Sequence, residues 1–73
     1  MSETAFQMAM RHVNYGRRIV EGQKAHIAEL RRGGHFLAVA RAQDLLIIYE
    51  TSLAAFERDV GEIVAAQGRE STV

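Results

Sequence analysis

Two runs of apolar residues at heptad spacing, separated by Gly33-Gly34, constrain this chain more than anything else in it. The first is Phe6, Ala9, Val13, Gly16, Val20, Gln23, Ile27, Leu30, and the second is Val39, Ala42, Leu46, Tyr49, Leu53, Phe56, Val60, Ile63. Each alternates steps of three and four residues, the period of helices packed side by side as in a coiled coil. A glycine pair between two such ladders lets one fold back on the other. The spacing therefore predicts an all-α chain, a two-helix antiparallel hairpin forming a single domain over residues 1–73. The expected helices cover about 4–32 and about 37–66, with a turn at 33–36 and a flexible tail at 67–73.

Local signals agree with those limits. Ser2 or Thr4 can cap the first helix, and Gln7, three residues after Thr4, completes a capping box. Arg31 and Arg32 sit in its last turn, where cations complement the helix dipole. Gly33 or Gly34 then supplies the left-handed residue that ends a helix. The second helix has no good N-cap, and Gly68 is expected to end it. There is no proline to break either ladder. Closing the hairpin at the glycines sets Leu30 opposite Val39, Gln23 opposite Leu46, Val20 opposite Tyr49, Gly16 opposite Leu53, Val13 opposite Phe56 and Phe6 opposite Ile63. A glycine facing a leucine on the ladder indicates close helix approach.

The apolar residues beyond the ladders bear on assembly. Met8, Tyr15 and Ile19 on the first helix, flanked by His12 and His26, fall on the same heptad flank as Leu45, Ile48 and Ala55 on the second, with Ser52 among them. One hairpin has nothing to cover that flank, and a 73-residue chain without cysteines has no disulfide or thiolate metal site to compensate for a one-sided core. Self-association through Met8, Tyr15, Ile19, Leu45, Ile48 and Ala55, giving a homodimeric four-helix bundle, is the expected remedy.

Formal net charge is zero, which argues against an obligate nucleic-acid or membrane-surface binder. It conceals an asymmetry. Residues 1–35 carry Arg11, Arg17, Arg18, Lys24, Arg31 and Arg32 against Glu3, Glu21 and Glu29, a balance of +3. Residues 36–73 carry Arg41, Arg58 and Arg69 against Asp44, Glu50, Glu57, Asp59, Glu62 and Glu70, a balance of −3. Opposite charge can simply steer one helix onto the other, with Arg17, Lys24 and Arg31 reaching Glu50 and Glu57 in either of two offsets. The alternative is a nucleic-acid face of Arg11, Arg17, Arg18 and Lys24 on a bundle like the plasmid copy-control ROP hairpin, an analogy of fold alone. The first ten residues carry Glu3 and no apolar leader. The longest apolar run, Leu45 to Tyr49, is far too short to span a bilayer. The expected setting is cytoplasmic, without a membrane partner.

No constellation demands a particular chemistry. His12 and His26 lie roughly 21 Å apart along one helix at 1.5 Å per residue, too far to share a metal, and His35 is in the turn. His12 can instead pair with Asp59. No His-x-x-x-His or Glu-x-x-His pair is present. The serines are Ser2, Ser52 and Ser71; two are terminal, and Ser52 sits mid-helix, where its hydroxyl can bond its own helix backbone. Gly33-Gly34 follows a helix and lacks a phosphate-loop pattern. The terminal Glu70-Ser71-Thr72-Val73 fits the pattern captured by PDZ grooves, a short motif that recurs by chance. No enzyme activity, cofactor or metal is expected.

His12-Val13-Asn14-Tyr15-Gly16-Arg17-Arg18-Ile19, followed by Gln23, Ile27, Leu30 and Gly34-His35, resembles a group of short bacterial helical-hairpin proteins, mostly α-proteobacterial. They share a His-[Ile/Val]-x-x-Gly opening, a Gly-His turn, a Leu-Leu-x-x-aromatic-Glu segment and a later Ala-Phe-Glu-Arg. Leu45-Leu46-Ile47-Ile48-Tyr49-Glu50 and Ala55-Phe56-Glu57-Arg58 are similar to the last two. The likeness spans roughly residues 12–59. It departs at the turn, where Phe36-Leu37 replace the group's Asp-Thr, a ready N-cap. The resemblance implies a helical hairpin of bacterial origin and no particular chemistry. The expected role is a small, non-enzymatic, self-associating interaction or regulatory module with an unidentified protein partner.

Overall fold

The structure, a computed structural model, describes residues 2–71. It consists of α1 (Ala5–Arg32) and α2 (Phe36–Ser71), packed against each other as an antiparallel hairpin, with no strand among the described residues. The start of α1 is chemically fixed. Thr4 Oγ1 accepts from the Gln7 N–H at 3.0 Å, and Gln7 Oε1 accepts from the Thr4 N–H at 3.0 Å, so two otherwise orphaned donors are satisfied reciprocally.

The turn is a Schellman closure. Gly33 keeps a helical φ of −83°, and Gly34 takes the left-handed φ of 72°. The Gly34 N–H donates to the Arg31 carbonyl at 3.1 Å and the His35 N–H to the Leu30 carbonyl at 3.0 Å, the paired bonds that define this C-terminal motif. α2 then begins at once, the His35 carbonyl accepting from the Val39 N–H at 2.9 Å.

The two ladders meet as their spacing requires, but the core they make is thin. Among the described residues only Ala9, Val13, Val20, Ile27, Val39 and Ala42 are buried apolar side chains, and two of these are alanines. Val13 is sealed most fully, at 2% exposure. Near the turn Ile27, Val39 and Ala42 cluster with Leu30 and Leu46. Farther along, Leu53, Phe56, Val60 and Ile63 are half-buried. Gly16 allows the closest approach: a Cβ there would lie 3.2 Å from Leu53 Cδ1 and 3.7 Å from Phe56 Cδ2.

The molecule is a slab of 59 × 24 × 13 Å, one helix layer thick. Its radius of gyration is 17.0 Å, against about 11 Å for a compact domain of this length. Its accessible surface is 5664 Å², roughly a quarter above the ~4,500 Å² of a compact chain of its mass.

One boundary differs from the sequence expectation. α2 runs on to Ser71, past the end expected near Ala66, so residues 67–71 of the expected tail are helical. Gly68 does not take a positive φ, and Gly34 is the one glycine among the described residues that does. A glycine costs a helix about 1 kcal/mol, which does not end it without a left-handed turn or a proline behind it. The Thr72-Val73 end of the PDZ-like tail lies outside the described residues.

Candidate self-association face and basic ridge

The flank residues fall where their heptad positions put them. Met8, Tyr15, Leu45, Ile48 and Ala55 are exposed and Ile19 is half-buried, all on one side of the slab. Tyr15 is 59% exposed and Ile48 57%, large fractions for side chains flanking a helix–helix seam. Toward the turn the same side opens into a groove lined by Gln23, His26, Leu30, Arg41 and Leu45. Apolar surface of this kind on a small chain makes this side the candidate interaction face.

Gln23, the polar residue on the first ladder, finds a partner across the seam: its Nε2 donates to the Ala42 carbonyl at 2.8 Å, half-buried. His12 lies against Phe56, ring centroids 5.3 Å apart, rather than pairing with Asp59. It is Thr51 rather than Ser52 whose hydroxyl bonds back into its helix, donating to the Ile47 carbonyl at 2.8 Å.

On the opposite flank and outer surface of α1 lies the basic ridge. Arg17 reaches Glu57 across the hairpin at 3.9 Å, but Lys24 turns to Glu21 on its own helix at 3.6 Å instead of crossing to Glu50. Arg11 is held by Glu3 at 2.9 Å. Arg18, the fourth residue of the candidate nucleic-acid face, is left without a carboxylate partner among the described residues. Every one of these pairs is substantially solvated, so each contributes at most about 1 kcal/mol.

Several exposed apolar residues escape the ladder-and-flank pattern. Phe36 is 75% and Leu37 80% exposed at the tip of the hairpin. Ile47, on the other side of α2 from Leu45 and Ile48, is also open, as is Val64. The continuous run Leu45 to Tyr49 is the available signal for Ile47, since five apolar residues in a row cannot all face one side of a helix. No three His, Cys, Asp or Glu side chains among the described residues come together as a metal-holding group. No helix among those residues is long and apolar enough to cross a membrane. No family model matches the chain, and no curated protein or solved structure matches it either.

Proposed function

We propose that this chain is a non-enzymatic interaction module that works as a homodimer, two hairpins stacking their apolar sides into a four-helix bundle. The uncovered side of the slab carries the proposal: Met8, Tyr15, Leu45 and Ile48 stand exposed together over a core of six buried apolar side chains. A second copy is the occupant that fits. The flank is the same on both helices, as a self-complementary two-fold contact requires. The surface in excess of a compact chain, roughly 1,200 Å², exceeds the ~800 Å² that each partner gives to a stable interface. The bundle's outer surfaces are then left for a protein partner.

Sedimentation equilibrium of the full chain at micromolar concentration tests this, with a dimer expected. Leu45→Glu with Ile48→Glu should yield a monomer with reduced helicity, because folding of such a thin hairpin is coupled to association. A wild-type chain that stays monomeric and fully helical would overturn it.

A further inference from the structure

Which way the two hairpins face each other is not decided by apolar packing alone, and the charges supply the answer. We infer that the dimer is built with both Gly33-Gly34 turns at the same end, each α1 lying against the partner's α2 around a two-fold axis parallel to the helices. The inference rests on the self-association proposed above and names its geometry.

The hairpin's own register sets which residues are level, since Gly16 stands opposite Leu53 and Ile27 packs with Val39 and Ala42. Carried to the outer edge of the apolar side, that register puts Tyr15 level with Ala55, Gly22 with Ile48 and Glu29 with Arg41. In the same-end arrangement each of these residues meets the partner's copy of its level-mate. Tyr15 then packs on the partner's Ala55, and Ile48 fills the open space at the partner's Gly22, where nothing lies within 4 Å of the position a Cβ would occupy. Glu29 meets the partner's Arg41, and neither has an ion-pair partner within its own chain among the described residues. Large side chains oppose small ones, Glu29 and Arg41 neutralise each other, and Glu62 lies level with the partner's Met8.

The opposite-end arrangement stacks α1 on the partner's α1 and α2 on the partner's α2. It also sets Tyr15 against Gly22 and Ile48 against Ala55, so packing is nearly as good. Its charges are not. Glu29 falls against the partner's Met8 and Arg41 against the partner's Glu62. These are the counterpart of the Glu29–Arg41 and Met8–Glu62 contacts of the same-end arrangement, so these edge residues do not choose. But Arg18, without a carboxylate partner among the described residues, falls beside the partner's Arg18 at the two-fold axis. It further places two segments of charge +3 side by side and two of −3 side by side, where the same-end arrangement alternates them. Like charges brought together oppose association, and complementary potentials fix register. A consequence is that the exposed Phe36 and Leu37 of both copies gather at one pole of the bundle.

The chain has no cysteine, so a single Leu37→Cys, at a side chain 80% exposed, can carry a spin label. Double electron–electron resonance on the full-length dimer should give a separation of about 30 Å or less. The opposite-end arrangement would separate the labels by more than about 40 Å along the axis alone at 1.5 Å per residue. Sedimentation of the same labelled sample keeps the two questions apart. A dimer with the long distance overturns the arrangement and leaves self-association standing, whereas a monomer overturns both. Charge reversal gives an independent readout. Glu29→Arg should weaken the dimer about tenfold, and adding Arg41→Glu in the same chain should restore it. An added loss on combining the two would overturn the arrangement, since the opposite-end dimer pairs Arg41 with the partner's Glu62.

Discussion

The side-chain amide of Gln23 donates across the helix pair to the backbone carbonyl of Ala42 at 2.8 Å. A carbonyl inside a helix already accepts from the N–H four residues on, so this bond adds a second donor and does not rescue an orphan. That asymmetry decides what its loss should do. Gln23→Leu leaves no buried acceptor unsatisfied, forfeits about 1 kcal/mol of hydrogen bonding, and adds an apolar side chain beside Ile27 and Leu46. The melting temperature should rise by a few degrees. Among the described residues the bond is also a directional tie between the helices near the turn, and lone polar residues in such seams fix register and oligomer state. Native mass spectrometry should therefore show a broader set of oligomers for the variant. A lowered melting temperature with a single dimeric species would show that the amide stabilises more than its replacement does.

Gly16 and Leu53 form the tightest glycine contact along the seam, a Cβ at Gly16 lying 3.2 Å from Leu53 Cδ1. Alanine there gains up to about 1 kcal/mol of helix propensity and asks Leu53, a half-buried and adaptable side chain, to move by a few tenths of an ångström. The two effects oppose, and Gly16→Ala should leave stability to urea within about 1 kcal/mol of wild type. Gly16→Val offers no such compromise: its branched side chain overfills the seam and should cost about 1–3 kcal/mol. Equal stability of the valine and alanine variants would mean the helices do not approach this closely at Gly16.

How far the sequence speaks depends on the range of the interaction. The Thr4–Gln7 box, the left-handed Gly34 and the Gly16–Leu53 pairing are legible because each follows from local chemistry or from a period that only one hairpin register satisfies. The exposed Met8–Tyr15–Leu45–Ile48 side is legible for the same reason. Long side chains are not. Lys24 can reach Glu21 or Glu50, and spacing does not choose between them. His12 has an apolar ring neighbour in Phe56 that competes with any carboxylate, and Gln23 finds its acceptor on a backbone group that no side-chain pattern reveals. The end of α2 is misplaced in the sequence because Gly68 looks like a second Gly34, although among the described glycines only Gly34 takes the left-handed φ that ends a helix.

That difference between the glycines is itself measurable. At Gly34, φ of 72° costs an L-residue about 1–2 kcal/mol, so Gly34→Ala should lower stability by that much. Gly61 lies within α2 with nothing within 4 Å of an added Cβ. Gly61→Ala should raise stability by about 0.5–1 kcal/mol through helix propensity alone. Urea unfolding of the two variants beside wild type checks both signs. A neutral Gly34→Ala would mean that the turn closes without a left-handed residue.

The basic ridge of α1 invites a nucleic-acid role, and its pairing argues against one. Arg11, Arg17 and Lys24 already lie within ion-pair distance of Glu3, Glu57 and Glu21, so a phosphate backbone would have to compete with carboxylates the chain itself supplies. Among the described residues Arg18 alone of the four has no carboxylate partner, and one such cation gives little of the counterion release that drives nucleic-acid binding. At low salt, micromolar protein should not retard structured RNA in a gel. If a complex forms instead, its affinity should fall steeply with salt, by roughly 0.7–0.9 in the logarithm per tenfold change for each phosphate neutralised. Replacing Arg11, Arg17, Arg18 and Lys24 together should then abolish it while leaving helicity intact. Retention of binding by that quadruple variant would move the contact to Arg31, Arg32 and Arg41 near the hairpin tip. Arg17→Met alone should change stability by less than about 1 kcal/mol, because its 3.9 Å pair with Glu57 is long and solvated.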